Sequence, residues 1–304
     1  MKLVHRVLAA TDLSAPSLRA VERGFEIART TSASYAVVHA LGLDALGPLR
    51  SLLGEQAEIV ASRVVDKAHS DLAAAVSDPA RSKGVAAEVL VEQGLAASVV
   101  PAHARTLDAD LVVVGSRGQH TLSRLLIGST ASHLLRKSRC PVLVVKTPCH
   151  GSYERALIPI DFSPASVLAI RMAREIAPRA DIDLLNVFDV PFEGMLAYAG
   201  VTEEVVHRYR MEARQDALHR LHELARAAGL SHAGYSVSVE RGDAARTILE
   251  QAGRQGHDLV VMGKHGTHVT EELLLGSVTR RVLGEALADL LVVVDKRLPA
   301  ADGE

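Results

Sequence analysis

A glycine pattern occurs twice in this chain. Gly115-Ser116-Arg117-Gly118 is followed, after nine residues, by Gly128-Ser129. Gly263-Lys264-His265-Gly266 is followed, after nine residues, by Gly276-Ser277. The copies lie 148 positions apart in 304 residues. At the same offset Gly94 matches Gly242, and Asp110-Leu111-Val112-Val113-Val114 matches Asp258-Leu259-Val260-Val261-Met262. Asp12-Leu13-Ser14 matches Asp161-Phe162-Ser163 at 149, so one extra residue separates the halves near their starts. Self-similarity at a fixed offset marks a duplicated unit. Any fold for this chain must therefore be adopted twice, with the glycines at equivalent places.

Each half alternates apolar runs with helical spacing. In the first, strands are expected at 4–10, 35–41, 86–91, 111–114 and 142–145, and helices at 14–30, 52–76, 96–107 and 122–137. In the second, strands are expected near 156–160, 183–188, 235–239, 259–262 and 290–294. The strands read as continuous β-branched runs, as they do when both faces are covered. Alternation with helices implies parallel strands joined by right-handed crossovers. The expected fold class is α/β: two tandem doubly wound domains, each a five-stranded parallel sheet with helices on both faces. The domains are 1–147 and 153–297, and the segment between them is too short to hold them apart. Their last strands are apolar, and an uncovered apolar edge is a liability that pairing would remove. Ser14 and Ser163 stand where helix N-caps belong, with Pro16 and Pro164 beside them.

Hydrophobic residues make up 48% of the chain, enough for two cores, while aromatics are only 3% and Trp is absent. Ala, Val and Leu must therefore do the packing, which suits closely spaced layers. The net charge of −2 shows no basic domain, so a general nucleic-acid binder is not expected. Cys140 and Cys149 form neither a disulfide framework nor a metal site by spacing. With no secretory leader pattern and no apolar run of about 20 residues, a cytoplasmic protein without a membrane span is expected.

In an open parallel sheet, ligands bind beyond the carboxyl ends of the strands where strand order reverses. Asp12 or Asp161, the strand tip at Ala40 or Val187, and the glycine loops all fall at such ends. Gly115 and Gly118 allow backbone angles closed to other residues, so amides can turn toward one ligand. Gly128-Ser129 and Gly276-Ser277 stand at or near helix starts, where free N–H groups and the dipole favour an anion. The Ser129 and Ser277 hydroxyls add donors. The spacing is neither that of a P-loop nor that of a dinucleotide fingerprint. Glycines serving only tight turns are the plainer alternative.

Gly-x2-Gly-x9-Gly-Ser, the Asp after the first strand, and the phrase Asp-Leu-Val-Val-Val-Gly-Ser-Arg-Gly resemble the universal stress protein family. The second half is similar, with Asp-Leu-Val-Val-Met-Gly-Lys-His-Gly and Leu-Leu-Gly-Ser-Val-Thr. The resemblance covers nearly the whole chain, once per half, and is to the ATP-binding branch with its adenine nucleotide alpha hydrolase-like fold. It implies that Asp12 and Asp161 contact adenine, with backbone at Ala10, Thr11, Pro159 and Ile160, and that Ala40 and Val187 pack near the base. It implies that Gly115, Gly118, Gly128 and Ser129 cradle ribose and phosphates, with Val114, Arg117 and Thr130 beside them. Gly263, Gly266, Gly276 and Ser277 do likewise, with Met262, His265 and Val278 beside them. Ile160 in place of Thr11 removes one hydroxyl.

The implied cofactor is ATP, and the implied action is regulatory, through nucleotide state and protein partners. A slow ATPase and a pairing module for another nucleotide-linked metabolite remain alternatives. Neither half offers a compelling paired acidic constellation for fast hydrolysis. Glu271-Glu272 could reach a magnesium ion on the triphosphate, although a charged helix entry is the simpler reading. His265-x-x-His268 lacks a third ligand, and His219-x-x-His222 reads as a solvated helix face. The apolar segment 190–201 is read as packing or a partner contact. Whether two chains form a homodimer is open.

Overall fold

A computed structural model of the chain describes residues 2–42, 56–116, 128–188, 201–231, 234–264 and 275–294. The first half runs β1 (Arg6–Thr11), α1 (Ala15–Thr31), β2 (Ser34–Leu41), α2 (Gln56–Ser77), α3 (Pro79–Ser82), β3 (Glu88–Gln93), α4 (Ala96–Thr106), β4 (Leu111–Gly115), α5 (Ser129–Lys137) and β5 (Val142–Val145). The second runs β6 (Arg155–Pro159), α6 (Ala165–Ile176), β7 (Asp181–Phe188), α7 (Glu203–Ala227), β8 (Ser236–Arg241), α8 (Ala244–Gln255), β9 (Leu259–Gly263), α9 (Ser277–Glu285) and β10 (Asp289–Val293). Every expected strand is present, shifted by a residue or two at its ends. The helix expected over 122–137 is described from Ser129, and its first part lies outside the described residues.

The strands form one ten-stranded sheet in the order β3-β2-β1-β4-β5-β10-β9-β6-β7-β8. Within each half all pairings are parallel. At the centre β5 and β10 pair antiparallel, Leu143 opposite Leu291, so each half covers the other's apolar edge. This is the pairing of last strands expected from the sequence. Alternate strand residues feed two cores. Val7, Ala9 and Val113 meet α1, α2, α6 and α7 on one face. Leu8, Val112 and Val114 meet α4, α5, α8 and α9 on the other. Each core cluster contains residues of both halves.

Local chemistry sets the helix ends. Ser14 caps α1 by accepting from the Ser17 amide, and Asp243 caps α8 by accepting from Arg246. Ser163 does not play the same part: the cap of α6 is Pro164, which has helical angles, so Ser163 stands one residue outside. The matched acids Asp110 and Asp258 have a structural use. Asp110 Oδ2 accepts from the amides of His5 (2.8 Å) and Arg6 (3.1 Å), while Asp258 accepts from those of Glu154 (2.9 Å) and Arg155 (3.0 Å). Each acid pins the start of its half's first strand to the start of the fourth.

Candidate functional site

The reversal of strand order lies between β1 and β4 in one half, and between β6 and β9 in the other. Ala10 lies opposite Val114, so Thr11-Asp12 emerges beside Gly115-Ser116. Thr11 lies opposite His39, which brings Ala40 to the same crevice. In the second half the β6–β9 ladder contains only Ala156–Leu259 and Leu157–Val260. Pro159, which has no N–H to give, stands where Ala10 stands in the first half.

The aspartates sit on matching turns. Asp12 Oδ1 accepts from the Ser14 amide (3.0 Å), and Asp161 Oδ1 accepts from the Ser163 amide (2.9 Å). These are Asx-turns, in which a carboxylate stands in for a backbone carbonyl. The residue spanned by each turn is left-handed: Leu13 has φ 63 and Phe162 has φ 60. That region is strained for a bulky side chain and persists only where the surroundings enforce it. Phe162 is held beneath the Arg220 guanidinium, 3.9 Å from its centroid. The hydroxyls add a further brace. Ser14 Oγ donates to Asp12 (2.5 Å), and Ser166 Oγ donates to Asp161 (3.1 Å). Asp12 is half-buried and Asp161 exposed.

Two residues missed by sequence reasoning hold these turns from behind. His39 Nδ1 donates to the Thr11 carbonyl (2.8 Å), and Asn186 Nδ2 donates to the Ile160 carbonyl (2.8 Å). Both are buried, at 9% and 5% exposure, on the strand next to the turn. Histidine and asparagine share no letter, so the repeat did not flag them; what they share is a donor of similar reach. Thr11 adds to the support of its turn. Its hydroxyl is buried, bonded to Ser17 Oγ (2.8 Å) and accepting from the Leu13 amide (2.9 Å). It braces the turn, and Ile160 replaces that brace with apolar packing.

The glycine loops close in the same way in both halves. The Gly128 amide donates to the Ser116 carbonyl (2.9 Å), and the Gly276 amide donates to the Lys264 carbonyl (3.1 Å). Gly128 (φ −58, ψ 149) and Gly276 (φ −53, ψ 147) are the N-caps of α5 and α9, and neither supplies a side-chain cap. The first-turn amides of each helix therefore have no intrahelical acceptor and no cap side chain. Ser129 and Ser277 are exposed there, with Thr130 and Val278 half-buried behind them. These N-cap angles suit any residue, so glycine is required at neither for its conformational range. Gly115 and Gly263 end their strands and are not among the residues with positive φ, contrary to the freedom expected of Gly115. Arg117, Gly118, His265, Gly266, Glu271-Glu272 and His268 lie outside the described residues.

Val114 and Met262 are 3% and 6% exposed and belong to the core beneath the crevice. Ala10, Ala40, Pro159 and Val187 are half-buried at its wall, and Ile160 is buried beneath it. On α5, burial first, then the Lys137 and Arg136 cations, hold His133 below its ordinary pKa. Thr279 in α9 donates to the Gly263 carbonyl (3.1 Å), tying that helix to its strand.

Elsewhere the chemistry is structural. A cavity of about 1080 Å³ opens at the opposite ends of the second half's strands and is lined by Arg155, Arg171, Arg174 and Arg179. Arg171 donates to the Ala227 carbonyl (3.0 Å) and Arg174 to that of Gly229 (2.8 Å), so both cap the end of α7. Nearby, Ser236 Oγ and His257 Nε2 both bond Asp183, on its two oxygens. The serine does not reach the imidazole, so this is no nucleophile–base pair. Among the described residues no group of three or more His, Cys, Asp or Glu is placed to hold a metal ion, and no helix is long and apolar enough to cross a membrane.

The sequence model of the universal stress protein family matches residues 4–146 and again 152–294. A universal stress protein of Mycolicibacterium smegmatis is 29% identical over 301 residues, covering 95% of this chain and 97% of that one. One from Methanocaldococcus jannaschii is 30% identical over 146 residues, covering 48% of this chain and 84% of that one. The crystal structure of a universal stress protein from Archaeoglobus fulgidus superposes with a TM-score of 0.65 at 19% identity, covering 95% of this chain and 98% of that one. That likeness is one of fold.

Proposed function

The chain belongs to the universal stress protein family, carrying its unit twice, and from that premise we propose that it is an ATP-binding regulatory protein with an adenine-nucleotide pocket in each half. The observation that carries the reading is a convergence made twice. A strained aspartate turn and an uncapped helix start meet at the one place where strand order reverses. The helix start suits an anion: Ser129, Thr130 and their neighbours, or Ser277 and Val278, present amides and a hydroxyl to phosphate. The aspartate suits the other end of the ligand. Asp161 Oδ1 holds its own turn, and the carboxylate's second oxygen can accept from the adenine amino group.

In this reading Ala10, Thr11 and Ala40 lie near the base in the first half and Pro159, Ile160 and Val187 in the second, with Val114 and Met262 beneath the glycine loops. Gly115, Gly128 and Gly263, Gly276 let the phosphates approach the backbone. Arg117, Gly118, His265 and Gly266 complete the loops. Magnesium would travel on the triphosphate. The units are 1–147 and 153–297. The protein acts in the cytoplasm through partners that read its nucleotide state, and the β5–β10 seam makes a second copy unnecessary for pairing.

The test has two parts. Protein purified without added nucleotide is denatured and its released nucleotide identified, and stripped protein is then titrated with ATP by calorimetry. Two sites per chain are expected. Asp12→Ala and Asp161→Ala should each remove one site, and the double variant both. No adenine nucleotide released and no heat on titration would overturn the reading. Rapid product formation in a single turnover, abolished by Asp161→Ala, would replace regulation with catalysis.

A further inference from the structure

Lys264 belongs to the second half's glycine motif, yet its side chain leaves that half. Its amide donates to the Val293 carbonyl (2.9 Å), and its own carbonyl accepts from Gly276, closing the loop onto the start of α9. Its ammonium crosses the seam and donates to the Arg136 carbonyl (2.5 Å), in the last turn of α5. Lys264 is only 5% exposed. The same residue thus closes one half's candidate phosphate loop and caps the far end of the helix whose start forms the other's.

A matching contact runs the other way. Lys146, which follows β5, donates through Nζ to the carbonyls of Leu283 (2.7 Å) and Ala286 (2.7 Å) at the end of α9. That helix has no basic residue in its own last turn and ends Leu283-Gly284-Glu285. A glycine and an acid at a helix carboxyl end both weaken it. The cation it lacks comes from the other half. The two lysines are not at equivalent repeat positions: Ser116 stands where Lys264 stands, with the same backbone closure and too short a side chain to cross.

We infer that Lys264 is a positioning residue that couples the two nucleotide pockets, making occupancy of the second raise the affinity of the first, and that the coupling needs both cross-seam lysines, Lys146 included. This rests on the nucleotide reading above. The helices are nine residues each and begin without a side-chain cap. A helix that short does not stand alone, and its terminal contacts decide how fully its first turn is formed. A phosphate across Gly276 and Ser277 fixes the start of α9, whose N-cap amide is bonded to the Lys264 carbonyl. The ordered ammonium holds the end of α5, and a fully formed α5 presents its Ser129 amides to the first pocket. Ordering by one ligand that lowers the ordering required by the next is positive coupling, and it must be reciprocal.

The experiment is ATP titration of the full chain by calorimetry, alongside the same titration of Asp161→Ala, whose second pocket is closed. The ratio of first-pocket affinities with the second pocket filled and empty is the coupling factor. A factor of about five or more is expected, falling to near one in Lys264→Met, with circular dichroism and the melting temperature recorded for both. A merely structural lysine would lower the melting temperature and leave the factor unchanged. Two pockets that bind independently, or a factor that survives Lys264→Met in a folded protein, would overturn the coupling and leave the nucleotide reading standing. Absence of ATP binding in the parent chain would remove both. If Lys264→Met does not fold, Lys146→Met is titrated under the same criteria.

Discussion

Asp289 has no exposed surface and stands at the start of β10, where it gathers the connection between the halves. Its Oδ1 accepts from the amides of Lys146 (2.8 Å) and Thr147 (3.0 Å) and from the Thr147 hydroxyl (3.0 Å). Its Oδ2 accepts from the Tyr153 hydroxyl (2.8 Å) and lies 3.6 Å from Arg23 Nε, an ion pair without a hydrogen bond. Burial, then Asp289, push the Tyr153 hydroxyl well above its usual range, so it remains a donor. Asp289→Ala would leave Arg23 buried without its counter-charge. The expected cost is about 3–5 kcal/mol, read by urea denaturation at neutral pH. A loss below about 1 kcal/mol would show that the site relaxes or admits water. Such a cluster is invisible to a repeat search, because Pro141 stands where Asp289 would repeat and Met172 where Arg23 would. Asp12 and Asp161 were legible because they repeat. The His39 and Asn186 clamps were not, because the same work is done by two different residues.

At the scale of the element, α1 shows how closely the layers sit. Tyr35 donates to the Val21 carbonyl (2.8 Å), its ring meets Phe25 edge-on at 4.6 Å, and Gly24 lies against it. A Cβ on Gly24 would stand 2.4 Å from the Tyr35 hydroxyl oxygen and 2.7 Å from its ring. Gly24→Ala should therefore lower stability by about 1–3 kcal/mol, although alanine is the better helix former. A melting temperature equal to the parent's would show that the ring moves freely.

The same helix carries Glu26, buried at 4% exposure, which accepts from Arg29 (2.6 Å) and Ser152 (2.8 Å). Burial raises its pKa, but the bonds from Arg29 and Ser152 outweigh that, and the net shift is downward. The folded pKa lies below the unfolded one, so its stabilisation is complete above the ordinary carboxylate range. It is lost as pH falls through the folded value. Melting temperature measured against pH should fall less steeply on the acid side in Glu26→Gln; parallel curves would remove Glu26 from the account. Strand positions were legible here because buried parallel strands are continuous apolar runs. Helix caps were less so: Ser163 has the right residue type, but the helix begins after Pro164 instead.

For the whole molecule, the seam is the decisive feature. β5 and β10 are apolar, buried and joined antiparallel, so neither half is complete at its edge without the other. Residues 1–147 and 153–297, expressed separately, should each self-associate through the bared strand. Co-expressed, they should purify together. Monomeric, soluble halves that ignore each other would contradict the seam's energetic role. Arg23 supports the same dependence, donating from α1 to the Gly151 carbonyl (2.6 Å) in the connection. So does Glu175 in α6, which accepts from the amides of Leu3 and Val4.

The sequence by itself determined the repeated unit, the strands and their alternation with helices in each half, and the place of the glycines and aspartates at strand ends. Those features depend on local periodicity and on residue types that recur at one offset. Only the tertiary structure decided which residues hold the aspartate turns from behind, how the connection is anchored, and that lysines cross the seam to cap the helices of the opposite half. The anchoring and cross-seam contacts join positions more than a hundred residues apart, and the turn clamps join unlike residues 28 and 26 positions apart, so none of them has a shared spacing. Their partners are mostly backbone carbonyls and amides, which carry no sequence signal until the chain has folded around them.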